Sequence, residues 1–210
     1  MTRYAKLILW LIGVWFVLAV TLSALHVIQT EPGRAPLALG LAAGIPIVVF
    51  LVGFSVSTGL REFLLSLNPR ILTAIQSWRL VGFVFLVLAA YGILPKVFAL
   101  PAGWGDIAIG ATAPLAAAIL AKAEHRRSFL AWQALGMLDL VMAVALGALA
   151  GTLNPQGIVT SPMTVLPLSL IPTFAVPLLL MLHIICVAQA RRWPARAVRS
   201  NGAPLAAPVV

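Results

Sequence analysis

The sequence predicts an all-α, polytopic membrane protein with six transmembrane helices, and three observations carry that expectation. Of its 210 residues, 62% are hydrophobic and only 9% are charged, against roughly 25% charged in an ordinary soluble domain. Six apolar stretches reach the roughly 20 residues that a helix needs to cross a bilayer. No stretch alternates apolar and polar residues as a half-buried strand does, and a helix satisfies its backbone internally, as lipid requires. Together these exclude a disordered tail and a soluble enzyme.

The first stretch, 7–27, follows Arg3 and Lys6 and so resembles a signal peptide. Its apolar run is longer than a signal's core, and Ser23-Ala-Leu-His lacks a small-x-small cleavage site, so it reads as a retained helix. The others are expected at 36–57, 71–94, 101–121, 128–150 and 168–190, forming one domain over 1–190. The sixth carries Pro167, Pro172 and Pro177 at intervals of five. Pro177 lies too deep for a first-turn proline, so a helix kink is expected there, with freed carbonyls that need partners. Residues 191–210 read as a basic, disordered cytoplasmic tail.

Orientation follows from the short flanks. Arg3, Lys6, Arg61, Arg70, Lys122, Arg126, Arg127, Arg191, Arg192, Arg196 and Arg199 fall on one side, with Arg34 and Lys96 on the other. Both termini are therefore expected in the cytoplasm, in a cell inner membrane. The Arg-over-Lys bias and abundant Ala fit a GC-rich bacterial genome. The formal charge of +9 then acts as a topology signal and as a contact for anionic headgroups. Scattered over four flanks, it is not a nucleic-acid surface. A lone cysteine, Cys186, gives neither a disulfide framework nor a thiolate metal cluster.

Duplication is visible at low contrast. Trp78-Arg-Leu-Val-Gly82 aligns with Trp132-Gln-Ala-Leu-Gly136, and Leu86, Val87 and Ala89 recur as Leu140, Val141 and Ala143. The even spans each hold an internal proline, Pro46, Pro114 and Pro177, which suggests degenerate two-helix hairpin repeats. Gly40-Leu-Ala-Ala-Gly44 and Gly147-Ala-Leu-Ala-Gly151 read as packing faces, because small residues let helices approach in lipid.

Ionisable residues within spans are costly and mark candidate sites. At 1.5 Å per residue, Arg79, Asp139 and His183 lie about 12, 16 and 10 Å from the cytoplasmic end. Asp139 shares a face with Trp132, Gly136 and Ala143, so it points into the bundle, and Arg79 is its expected partner. These three are the candidates for substrate or proton handling. Asp106 follows Pro101-Ala-Gly-Trp-Gly and reads as an outer-end helix cap, or as a gate. His26 lies some 20 Å from His183 along the bilayer normal, so the two cannot share one haem. No known catalytic, cofactor or metal motif is present.

The best-fitting expectation is a small permease or channel-like protein for a small neutral or weakly polar solute, coupled to protons through Asp139. It would form a homo-oligomer or join a membrane complex. The alternative is a non-transporting scaffold or accessory subunit. A third is a membrane-embedded enzyme that binds a cofactor or lipid.

Overall fold

The computed structural model describes residues 3–30, 36–153 and 158–194. The chain is 84% helical and, among the described residues, has no strand. The helices are α1 (Arg3–Ala24), α2 (Leu37–Val56), α3 (Thr58–Leu65), α4 (Pro69–Ile75), α5 (Phe83–Ala90), α6 (Lys96–Leu115), α7 (Arg126–Leu153) and α8 (Val176–Arg192). Six helical runs are long and apolar enough to cross a membrane: Arg3–Ala24, Leu37–Val56, Pro69–Ala90, Lys96–Leu120, Ala123–Ala150 and Ile171–Arg192.

Three of these runs are not uniformly α. The third passes from α4 through a 3-10 segment, Gln76–Gly82, into α5. The fourth ends in a π turn, Ala116–Leu120. The sixth begins with another, Ile171–Ala175, ahead of α8. Pro177 therefore sits in the first turn of α8, just beyond a π turn, inside the helical run Ile171–Arg192.

Local chemistry sets the boundaries. The Ser57 side chain accepts from Leu60 N at the start of α3, and Asn68 accepts from Arg70 N with Pro69 in the first turn of α4. Both fit N-terminal capping, in which a short polar side chain takes up an orphan amide. Gly92, at φ +69°, turns the chain after α5 in a conformation that costs glycine little.

Several expected boundaries are corrected. The fourth span begins at Lys96 after Pro95, not at Pro101, which lies inside α6. Asp106 is thus ten residues, about 15 Å, into the helix. The first span begins at Arg3, and Arg191 and Arg192 belong to the last turn of α8 instead of to a tail. Residues 195–210, including Arg196 and Arg199, lie outside the described residues, as does Arg34.

The third to sixth spans pack consecutively, with the third closing against the sixth. The first and second lie on the sixth-span side of this bundle. At the basic end the buried cluster comprises Leu64, Leu72, Ala121, Phe129, Ile185, Cys186 and Ala190. At the other end Phe85, Ala89, Leu94, Phe98 and Met163 are part of a second cluster. Polar side chains are buried between these apolar layers.

Within the chain nothing packs on the Gly40/Gly44 face: a Cβ at either position would meet no described atom within 4 Å. The glycines that permit close approach include Gly59, against Tyr4, and Gly82, Gly103, Gly105, Gly110 and Gly136.

Candidate functional site

Arg79 is in the 3-10 segment and only 2% exposed. Its guanidinium donates in three directions. Nε reaches Asp106 Oδ1 at 2.7 Å, Nη1 reaches the Gly136 carbonyl at 3.1 Å, and Nη2 bonds Asp139 Oδ2. The two carboxylates come from α6 and α7, so one cation ties three spans together. Their side chains are 16% and 13% exposed.

Glycines make this convergence possible. A Cβ on Gly82 would overlap the Asp106 carboxyl, one on Gly105 the Asp139 carboxyl, and one on Gly136 the His183 ring. Each polar group thus lies against a neighbouring helix where a side chain is missing. Gly110 likewise admits the backbone of Arg79 and Leu80.

The structure brings Arg79, Asp139 and Asp106 together, and it corrects the expected place of Asp106. That residue is neither an outer-end cap nor an outer gate, because α6 starts ten residues earlier. Sequence reasoning took Pro101 as a helix start; proline can instead sit within a membrane helix where neighbours satisfy the backbone.

His183 is fully buried but makes no hydrogen bond to this triad. Its Nδ1 meets Gln133 Oε1, Gln133 Nε2 donates to Thr73 Oγ1 at 3.1 Å, and Thr73 Oγ1 lies 3.8 Å from Cys186 Sγ. Among the described residues, His183 Nε2 has no partner. The two networks adjoin at Gly136, whose carbonyl takes Arg79 and whose bare Cα takes the His183 ring. Gln76, between Thr73 and Arg79 in sequence, donates from Nε2 to the Leu179 carbonyl at 3.1 Å.

Thr73, Gln76 and Gln133 were not legible as site residues, because neutral polar groups carry no obvious desolvation signal. One clue was available: the aligned Trp-x-x-x-Gly segments place Gln133 opposite Arg79 and Gly136 opposite Gly82. The geometry is parallel. Arg79 and Gly82 receive Asp106 from the following span, and Gln133 and Gly136 receive His183 from the following span.

Pro177 cannot donate an N–H to the carbonyl four residues earlier, that of Thr173. Trp15 Nε1 donates to this carbonyl at 3.2 Å. The first helix is thus tied to the π segment of the sixth span.

A cleft of about 60 Å³ runs between the third and sixth spans and ends at Arg79 and Asp106. Asp139 and His183 do not line it. At roughly 30 Å³ per molecule of liquid water, it has room for about two waters, far below the several hundred Å³ of a typical small-molecule pocket.

At the basic end, Arg192 pairs with Glu62 at 3.2 Å. Hydrogen bonding and attraction from Arg192 hold the Glu62 carboxyl below its usual 4.5. Beside it, Gln189 Nε2 takes up the carbonyls of Leu64, Leu65 and Leu67 at the end of α3.

No curated protein and no solved structure matches this chain. A family model described as "Domain of unknown function (DUF8737)" matches residues 36–191. That range contains Arg79, Asp106, Asp139, His183 and the residues of both networks, and it leaves α1 outside. With about three quarters of its length matched, the chain belongs to the DUF8737 family.

Proposed function

We propose that this protein is a small proton-coupled permease of a bacterial inner membrane, with both termini cytoplasmic and Asp139 as the principal proton site. The observation that carries the reading is one buried guanidinium shared by two carboxylates. An ion pair that only held helices together needs one carboxylate. The second leaves a surplus of one negative charge in a low-dielectric setting, which one added proton cancels. Desolvating unbalanced charge costs several kcal/mol per ion, so protonation and helix packing are coupled.

The irregular backbone supports the same reading. Within a bilayer, non-helical backbone is tolerated where protein or a water-filled cavity surrounds it, and broken helices form solute sites in several transporters. Here the 3-10 and π segments line opposite walls of the cleft. The cleft is too small for a solute beyond a few heavy atoms, so transport requires those segments to move apart. Orientation rests on the flank charges.

The test is proton flux in proteoliposomes with trapped pyranine, challenged in turn with small alcohols, amides and amines. At least one class is expected to move protons in the wild type and not in Asp139→Asn. A response that survives in Asp139→Asn, or no response to any class, refutes the reading.

A second reading, a scaffold subunit, is favoured by α2, none of whose residues is buried within the chain. It predicts a stoichiometric partner on mild purification and retained assembly in Asp139→Asn.

A further inference from the structure

The cleft between the third and sixth spans has a built chemical character. Its inner end is formed by Arg79 and Asp106; its walls include Phe85, Leu140 and Leu179; Trp78, 68% exposed, stands at its mouth. Trp78 is nine residues into a span that begins at Pro69. The mouth therefore opens sideways at mid-span, where lipid chains lie, and not at either end of the bundle.

The polar end is incompletely satisfied. Asp106 Oδ1 accepts from Arg79, but among the described residues no donor reaches Oδ2. Asp139 Oδ1 likewise has no donor and faces the bare Cα of Gly105. With both carboxylates ionised the triad is −1, so a cation is attracted and an anion repelled. An unpaired charged oxygen, Asp106 Oδ2, at the end of an apolar slot suits a ligand with a small hydrogen-bonding cation and a hydrocarbon body. A primary ammonium meets those terms, and about two water volumes admit it without admitting a phosphate.

We infer that this cleft is a lateral binding site for a lipophilic primary amine, its ammonium on Asp106 Oδ2 and its chain passing Trp78 into the bilayer. The inference rests on the permease reading and gives it a substrate class. A proton and an ammonium offset the same surplus charge, so the two compete, and exchange of one for the other follows.

The site is tested by binding, without a gradient, so that it stands or falls apart from transport. Purified protein in phosphatidylcholine nanodiscs is titrated near neutral pH with hexylammonium, hexanol and hexanoate, and empty nanodiscs give the partitioning background. Hexylammonium is expected to saturate, with the alcohol and the carboxylate at least about thirty-fold weaker, the fold-change for losing the partner of a buried charge. Asp106→Asn should weaken hexylammonium by a similar factor. Ala175→Phe, which fills the slot from the sixth span, should abolish binding.

Equal binding of hexanol, or undiminished binding in Ala175→Phe, overturns the proposal. Loss of amine binding when phosphatidylethanolamine is added to the nanodiscs assigns the site to a lipid headgroup and overturns the free-amine assignment. Binding without proton flux would sink the permease reading alone; flux without binding would sink the amine site alone.

Discussion

Replacing Arg79 by Gln removes the only cation from the triad and leaves two carboxylates at close quarters. Arg79 is 1% exposed at its side chain and the carboxylates 16% and 13%, so solvent relieves little of the loss. Breaking a buried pair by removing one partner costs about 3–5 kcal/mol. Asp139→Asn behaves differently, because Arg79 keeps Asp106 and the site becomes neutral. The charge-assisted hydrogen bond it loses, about 1–3 kcal/mol, is offset by relief of the surplus charge, so its net loss is well below that of Arg79→Gln, and Asp106→Asn should match it. The decisive variant is the double, Arg79→Gln with Asp139→Asn. A simple Arg79–Asp139 pair would be restored to near wild-type stability by this neutral swap. A triad would not, because Asp106 is left unpaired; only the triple variant with Asp106→Asn recovers. Reversible unfolding by SDS in mixed micelles, followed by tryptophan fluorescence, gives the free energies. Wild-type stability in the double variant would refute the shared-guanidinium account, as would equal losses in Arg79→Gln and Asp139→Asn.

The same unfolding assay reads two further expectations. Gly136→Ala drives a Cβ into the His183 ring and should cost about 1–3 kcal/mol, whereas Gly44→Ala, with open space around it, should cost nothing measurable. Trp15→Phe should lose about 1 kcal/mol with its hydrogen bond to the Thr173 carbonyl; an unchanged unfolding free energy would refute that contribution. At the basic end, Glu62 has a lowered folded-state pKa, so its contact with Arg192 contributes stability above the usual 4.5 and loses it as pH falls through the lowered value. An NMR titration of the Glu62 carboxyl should therefore show a midpoint that rises towards 4.5 in Arg192→Gln.

Reading the sequence located all six spans, because bilayer thickness imposes a minimum apolar length whatever the tertiary structure. Arg79, Asp139 and His183 were legible for a related reason: a titratable group at membrane depth is expensive enough to stand out. Asp106 stood out too, but its role depended on where α6 begins. Pro101 looked like a helix start, whereas Pro95 and Lys96 begin it, and that shift of about five residues turned a surface cap into half of the site. Gln76, Gln133 and Thr73 stayed hidden, since a neutral polar residue in a span is common and its partner lies on another helix. The 3-10 segment at Gln76–Gly82 has no local signature; no proline lies within it, and it packs against α6.

That segment sets the angular position of everything beyond it. Three residues per turn bring Gln76, Arg79 and Gly82 into one vertical row, with Thr73 below them. An α-helix advances about 100° per residue instead of about 120°, so rewinding Gln76–Gly82 as α would turn Gly82 by about 120° relative to Gln76 and shorten the span by about 3 Å. Arg79, halfway along, would swing by about 60° and leave at least one carboxylate behind. The grip of the guanidinium on α6 and α7 is thus also a lock on the pitch of the third span. If the segment rewinds when either carboxylate changes charge, α5 receives that change as rotation.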